Sequence, residues 1–255
     1  MVKPYTPNIE RMATRLNVDE NIAFAYPYSK RSNYKSVAQE ILNNKTAGLS
    51  LPDGEKTSYL LKAVYCGPED FQKQPESVEL REIMKSGYFW LFQRNLWIPE
   101  KYKSSHGVFV VYDEKGIGTS EELDIGELEK ALKGGRELKN GIKFSEDDKI
   151  GFAPRDTYNE GEMSPEDFAN DGFIIVSNKE QGARNLAGVS QSRHFKNKKP
   201  RSWIVNPDKE LIQTVSAVGY GRYWVDYRLD FGGCHDDFRF GFASGVLVSG
   251  EARAN

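Results

Sequence analysis

Polar and apolar residues alternate along the C-terminal third of the chain. Between positions 222 and 231, Tyr, Val, Tyr, Leu and Phe alternate with Arg, Trp, Asp, Arg and Asp. A period of two predicts a strand with one buried face. Phe238, Phe240 and Phe242 repeat the spacing, residues 211–218 supply another strand, and Gly-rich segments separate the three. We therefore expect an antiparallel β-meander, with Asp226 or Asp230 paired to Arg239 across strands.

Helical spacing dominates the first 87 residues. The pattern predicts helices over 8–16 and 34–43, followed by a helix that Asp53 caps and that ends at Cys66. Cys66 is expected to be a small buried apolar residue on that helix. Pro75 can occupy the first turn of a further helix, which Gly87 closes.

The middle of the chain mixes the two patterns. Aromatic and β-branched runs predict strands over 88–98, 107–112 and 173–176, and a hairpin from 142–144 to 149–153. Capping residues at Asp124 and Ser164 predict two helices, and a third is expected over 180–191. The fold class is α+β, with a helical N-terminal third, a mixed middle and an antiparallel β-meander at the C-terminus.

We expect a single domain over residues 1–255. A change in composition near position 200 leaves a subdivision open, between a mixed α/β part at 1–200 and the meander at 201–255. The hydrophobic share of 38% and the aromatic share of 12% supply a core for either arrangement. They also argue against intrinsic disorder. We find no apolar signal-peptide segment and no run of 18 apolar residues, and from this we expect a soluble cytoplasmic protein without membrane contact.

Charge is distributed unevenly. The net charge is −2, yet residues 113–171 carry 17 acidic and 8 basic side chains, whereas residues 181–207 carry six basic and no acidic ones. The two regions could attract each other within the fold, or the basic one could form a separate anion-binding patch. The total charge provides no large field for nucleic acid or anionic membrane.

No sequence motif for a cofactor or metal is present. Gly48 and Gly54 have the wrong spacing for a phosphate-binding loop, and Gly116-Ile-Gly118 lacks the third glycine of a dinucleotide site. The three histidines, His106, His194 and His235, are too scattered to predict a zinc site. We therefore expect no cofactor and no metal.

One loop combines reactive side chain types. Cys234, His235, Asp236 and Asp237 place a thiol, an imidazole and two carboxylates together, which suits metal binding or thiolate chemistry. Neighbouring residues on an extended chain point in opposite directions, so a polar hairpin tip is the simpler explanation of the loop. The only other cysteine is Cys66, and sequence alone does not decide whether the two pair.

A basic segment over 193–203 combines cations with aromatic residues. Cations can neutralise phosphates, and Phe195 or Trp203 could stack on a base. Ordinary solvated surface is the alternative. The candidate ligand-binding residues of this segment are Arg193, Lys196, Lys198, Lys199, Arg201 and Trp203.

These features favour a non-catalytic binding or interaction protein of unidentified partner. One alternative is an enzyme with a composite pocket, in which the 234–237 loop takes part. The other alternative is a nucleic-acid-binding protein that uses the 193–203 segment. A protein partner or a second copy could also pair with an exposed edge of the meander. A ligand groove could be lined by Trp90, Trp97, Tyr102 and Trp203, although core packing is the better explanation of these residues.

Overall fold

The computed structural model describes residues 5–11, 15–44, 48–138, 140–205, 210–221 and 227–248. Within them lie seven helices: α1 (Tyr34–Leu42), α2 (Gly54–Cys66), α3 (Glu69–Gln72), α4 (Pro75–Ser86), α5 (Ile125–Ala131), α6 (Pro165–Asn170) and α7 (Gly172–Ser190). Among the same residues the first seven strands are β1 (Asn8–Glu10), β2 (Arg15–Asp19), β3 (Ile22–Ala25), β4 (Tyr88–Ile98), β5 (Gly107–Tyr112), β6 (Arg136–Glu137) and β7 (Lys143–Phe144). The others are β8 (Ile150–Pro154), β9 (Gly161–Glu162), β10 (Arg201–Trp203), β11 (Ile212–Gly221), β12 (Arg228–Cys234), β13 (Gly241–Phe242) and β14 (Val246–Val248).

The strands form two sheets. A small sheet has the order β1-β2-β3-β14, and all its pairs are antiparallel. A large mixed sheet has the order β6-β7-β8-β5-β4-β11-β12-β10-β9, with β13 beside β4. In the large sheet, β10 runs parallel to β12, and β13 runs parallel to β4. The central strand β4 is almost wholly buried because other parts of the protein pack against both of its faces.

Helices α2 and α7 pack against each other and cover one face of the large sheet. Trp97 of β4 meets the ring of Phe173 at 4.8 Å between centroids, and Phe231 of β12 meets the same ring at 5.5 Å. These contacts belong to the main hydrophobic core. The alternate residues Leu96 and Ile98 point to the other face and join a smaller apolar cluster with Leu128 of α5.

Buried polar side chains connect β4 to β11 on the helix-covered side. Gln93 donates to the Ser216 hydroxyl at 3.1 Å, and that hydroxyl donates to Asn95 Oδ1 at 3.0 Å. Asn95 and Trp97 both donate to the Thr214 hydroxyl, at 3.2 and 2.9 Å. The chain of hydrogen bonds spans the bulge between Val215 and Ser216 and thereby fixes the pairing of the two strands.

The α+β class and most elements of the middle region are confirmed. The strand at 88–98 has the expected bounds, and Asp53, Asp124 and Ser164 each accept a hydrogen bond from the backbone N–H three residues later. Pro75 occupies the first turn of α4 as expected. Local side chain to backbone hydrogen bonds determine these helix starts, and so the sequence reveals them.

Two predicted elements have the wrong type. The helix over 8–16 is wrong, since Asn8–Glu10 and Arg15–Asp19 are strands and Leu16 and Val18 are buried with the period of two. The strand at 173–176 is also wrong, because these residues form the first turns of α7. The Asp171 carboxylate accepts from the N–H groups of Phe173 and Ile174 there. An apolar run buried on all sides shows no periodicity, so periodicity cannot distinguish a strand from a helix there.

The C-terminal strands differ from the predicted meander in bounds and neighbours. β11 continues through the predicted turn at 219–221, and residues 222–226 lie outside the described part of the chain. Of the predicted third strand, only Gly241–Phe242 is a strand, and it pairs with β4. Asp230 pairs with Arg201, not with Arg239, because β10 inserts beside β12.

Helix α7 is interrupted near its middle. Lys179 has φ 53° and ψ 173°, a backbone conformation that glycine adopts far more readily than other residues. Its ammonium lies 3.0 Å from Glu55 and 3.7 Å from Asp148, and these ion pairs hold the kink against α2 and the β7–β8 turn. Across the described ranges, no helix has the length and apolar character that a membrane crossing needs.

Candidate binding face

One row of paired residues crosses the C-terminal part of the large sheet. The register places Tyr88 opposite Gly219, Gly219 opposite Asp230, and Asp230 opposite Arg201. Arg201 in turn lies opposite Glu162 of β9. Residues directly opposite each other share a face of the sheet, and so this row lies on one side. It is the side away from Phe231 and Phe173, because Phe231 is the next residue after Asp230.

The row two residues further along the strands adds a tryptophan to the same face. Here Trp90 lies opposite Ala217, Ala217 opposite Gly232, and Gly232 opposite Trp203. Trp90 is fully buried, whereas 38% of Trp203 is exposed. A Cβ added at Gly232 would lie 2.5 Å from the Cβ of Trp203, so the glycine allows β10 to approach closely.

Ion pairs hold the edge of this face together. Arg201 Nη2 lies 3.2 Å from Asp230 Oδ2, and the Arg228 guanidinium pairs with Glu162. Burial raises the pKa of Asp230 to about 6, although both arginines favour its ionised form. The Arg201 guanidinium also lies 4.4 Å from the centre of the Trp203 ring, a cation–π distance. Glu162 of the acidic region 113–171 lies opposite Arg201 of the basic region in the strand register, but its ion pair is with Arg228, outside that region.

The segment after β12 brings two more aromatic rings to this side. Phe238 and Phe240 are 40% and 45% exposed, and the Phe238 ring meets Tyr88 at 5.9 Å. The Arg31 guanidinium lies 4.1 Å from the centre of the Phe240 ring. We call Tyr88, Trp203, Phe238 and Phe240, with the stacked Arg31 and Arg201, the aromatic face. Tyr88 and Arg201 are three strands apart, which is about 14 Å at the usual strand spacing.

The 234–237 loop borders the aromatic face but does not assemble a reactive centre. Burial raises the pKa of the Cys234 thiol to about 11, which disfavours the nucleophilic thiolate. His235 and Asp237 are exposed. Burial opposes ionisation of Asp236, yet hydrogen bonds from Thr119 and the nearby Lys35 ammonium outweigh it and lower its pKa. Asp236 therefore anchors the loop to the 118–119 turn.

The cysteines do not pair. Both thiols are free. The expectation that Cys66 is buried is wrong, because it lies exposed at the last turn of α2, with its Sγ 3.6 Å from the Gly188 carbonyl oxygen.

The structure divides the basic segment between three locations. Arg193 borders a cavity of about 430 Å³ beside Cys66 and Glu69. Lys196 lies 5.1 Å from the ring of Tyr227, near the helix-covered side. Only Arg201 and Trp203 reach the aromatic face.

Two lysines and an aromatic residue complete the segment. Lys198 donates to the Ser192 carbonyl oxygen, and Lys199 is exposed. Phe195 is buried between the rings of Tyr65 and Tyr220, at 5.1 and 4.8 Å, which leaves it no face for a base.

Sequence reasoning missed Tyr88, Phe238, Phe240 and Arg31 as surface candidates. The alternation of phenylalanines indicated a buried strand face, but the Gly232-Gly233 pair and Gly241 that flank the segment are equally typical of a loop. Trp90 and Trp97 are core residues, whereas Tyr102 and Trp203 are exposed. The two tryptophans in the core therefore do not form a common groove with Tyr102 and Trp203.

A charged cavity is lined by residues that do not belong to the aromatic face. It has a volume of about 680 Å³ and is bordered by α2, the β7–β8 turn and Lys179. Its carboxylates and lysines neutralise one another, as Lys179 does with Glu55 and Asp148. Within the described ranges, we find no group of three or more His, Cys, Asp or Glu residues with the geometry of a metal site.

Comparison with known proteins gives one distant structural likeness. No family model matches the chain, and no curated protein matches it. A solved chain, from work on how the C-type lectin fold accommodates massive sequence variation in Nanoarchaeota, aligns with 87% of this chain and 95% of its own. The TM-score is 0.42 and the sequence identity is 13%.

Proposed function

We propose that this chain is a non-catalytic binding protein that recognises a protein partner through the aromatic face. One observation carries the proposal: Trp203, Phe238 and Phe240 are between 38% and 45% exposed, and guanidinium groups lie over two of their rings. Exposed aromatic rings together with arginine are the side chains that dominate the energy of protein interfaces. Scattered single apolar residues would need no explanation, but Phe238 and Phe240 contact each other, and Trp203 lies on the same side of the large sheet.

Rigid support strengthens the proposal. Trp203 belongs to β10, which pairs with β12 on one edge and β9 on the other, and Tyr88 belongs to the central strand β4. Side chains on strands lose little conformational freedom on binding. The neighbouring thiol favours its protonated form, and this makes the enzyme alternative at the 234–237 loop the weaker one.

Two further properties belong to the same proposal. We infer a reducing, cytoplasmic location, which fits two free thiols, one of them exposed. We also infer a single domain, since strands from 1–200 and from 201–255 are neighbours in the large sheet.

A selection from a random peptide library tests the binding function. Wild-type protein is compared with a variant carrying Trp203→Ser, Phe238→Ser and Phe240→Ser. A matched control carries Leu42→Ser, Val78→Ser and Tyr102→Ser, whose side chains are 37% to 41% exposed elsewhere on the chain. Peptides enriched on the wild type should bind the control variant and not the aromatic-face variant. Equal binding to all three proteins would contradict the proposal.

Nucleic acid binding through the 193–203 segment is the second candidate. Its support is that Lys196, Lys198 and Lys199 make no ion pair with any described carboxylate. Against it, Arg201 is paired with Asp230, and Arg193 and Lys196 lie at separate places. A titration with single-stranded and duplex nucleic acid, on wild type and on Lys196→Glu/Lys198→Glu/Lys199→Glu, decides it. Binding that weakens with salt and with charge reversal would favour it, and none at low salt would exclude it.

A further inference from the structure

Two arginines near the aromatic face form no ion pair with a described carboxylate, so an anionic partner could bind them. Asp230 is paired with Arg201, Glu162 with Arg228, and Asp236 with Lys35. By contrast, Arg31 and Arg239 are exposed and form no ion pair with a described carboxylate. Asp237 is the one carboxylate of the 234–237 loop that forms no ion pair within the described ranges. Among the described residues, the charges outside these ion pairs are therefore two arginines and one carboxylate, a small positive excess.

One of the two arginines contacts an exposed ring, and the other is a sequence neighbour of two such rings. Arg31 lies over Phe240, and Arg239 is the residue between Phe238 and Phe240. A guanidinium that covers a ring still directs its N–H groups outward from its own edge. There they can form paired hydrogen bonds to a carboxylate. At Arg31 and Phe240, apolar contact and anion contact are thus offered side by side.

The interleaved acidic side chains distinguish among anionic partners. A nucleic acid strand carries a phosphate on every nucleotide, about every 3.4 Å along a duplex axis, so it cannot omit the negative charge where Asp236, Asp237 or Glu162 lies. An extended peptide places successive side chains of one face about 6.6–7 Å apart, with any residue in between. It can therefore set carboxylates at the arginines and apolar groups at the rings. Like charges brought together would oppose the nucleic acid.

Building on the proposed function, we propose that the aromatic face binds an acidic protein segment in which carboxylates alternate with aromatic or aliphatic side chains. The carboxylates contact Arg31 and Arg239, and the apolar side chains contact Phe238, Phe240 and Trp203. This identifies the chemistry of the partner, which the aromatic rings alone leave open.

Synthetic copolymers test this chemistry without a known partner. Binding to the full chain is measured for a random glutamate–tyrosine copolymer, a lysine–tyrosine copolymer, polyglutamate and a single-stranded oligonucleotide. The glutamate–tyrosine copolymer should bind most tightly, because it alone combines both groups. Arg31→Gln/Arg239→Gln should weaken it at least about tenfold, as for charged contacts in protein interfaces. The control Lys133→Gln/Arg184→Gln removes two exposed cations elsewhere and should have little effect.

Three results would overturn the inference: no binding of the glutamate–tyrosine copolymer, tighter binding of the oligonucleotide, or equal loss in the control variant. The peptide selection described above makes no assumption about acidic residues. If it yields neutral or basic peptides that still require Trp203, Phe238 and Phe240, the binding function stands and the acidic specificity falls.

Discussion

Trp203 and Gly232 lie opposite each other in the parallel pair formed by β10 and β12, close enough that a Cβ at Gly232 would collide with Trp203. This contact joins two segments that are separate in the sequence. It places the end of the basic segment beside the strand that leads into the 234–237 loop. The glycine at position 232 allows β10 to bring Trp203 and Arg201 to the aromatic face.

Gly232→Ala should therefore destabilise the protein. The new methyl group would lie 2.5 Å from Trp203 Cβ and 2.6 Å from its carbonyl oxygen, and backbone cannot move aside cheaply. We expect a loss of about 1–3 kcal/mol in the free energy of unfolding, measured with urea. The matched control is Gly188→Ala in α7, where an added Cβ meets nothing within 4 Å. There, stability should rise by up to about 1 kcal/mol. The same sign in both variants would contradict the packing described for Gly232.

Lys179 supplies a test of backbone strain. Its positive φ suits glycine, so Lys179→Gly should be more stable than Lys179→Ala by about 1–3 kcal/mol, although both lose the pairs with Glu55 and Asp148. The exposed helical residue Arg184 serves as the reverse control, because alanine should exceed glycine there by about 1 kcal/mol. Thermal or urea unfolding of the four variants measures both differences. An advantage for alanine at position 179 would rule out the kink.

Asp171 should make stability depend on pH. Burial raises its pKa to about 6, even though the N–H groups of Asn159, Ile174 and Phe173 donate to it. Its ordinary value is 3.8, so between 3.8 and about 6 the folded chain binds more protons than the unfolded chain. The contribution of Asp171 to stability is greatest below this window and is lost as the pH rises through it.

Asp171→Asn keeps a capping side chain and removes this charge. The unfolding free energy of the variant minus that of the wild type should therefore increase between pH 4 and pH 7, by about 1–3 kcal/mol. Urea unfolding at pH 4, 5.5 and 7 gives this difference, in which the other titrating groups largely cancel. A difference that is constant over the three pH values would show that the buried carboxylate keeps its ordinary pKa.

The two thiols should differ in reactivity. Burial raises the pKa of both thiols, but Cys66 is exposed, whereas Cys234 is half-buried and its pKa rises to about 11. Alkylation at pH 8, followed by mass spectrometry, should modify Cys66 well before Cys234, because the thiolate is the reacting form. The rate at Cys234 should continue to increase up to about pH 11. Faster reaction at Cys234 near neutral pH would instead favour the enzyme alternative.

Local signals in the sequence predicted much of the fold but little of the candidate site. Asp53, Asp124 and Ser164 act on N–H groups three residues away, and the long apolar run at 88–98 needs no partner to be recognised as a strand. The aromatic face depends instead on strand order. Nothing near Trp203 in the sequence indicates that it lies opposite Gly232, about 30 residues later. Nor does it indicate that β12, which contains Gly232, pairs with β10 on one edge and with β11 on the other.

The free energy lost on truncating single rings tests the central claim most directly. For a peptide selected on the wild type, dissociation constants are measured for Trp203→Ala, Phe238→Ala and Phe240→Ala, and for the equally exposed control Tyr102→Ala. We predict that at least one aromatic-face variant weakens binding about tenfold or more, as residues that dominate interfaces do, while Tyr102→Ala leaves it unchanged. Unchanged affinity in all three aromatic-face variants would contradict the account.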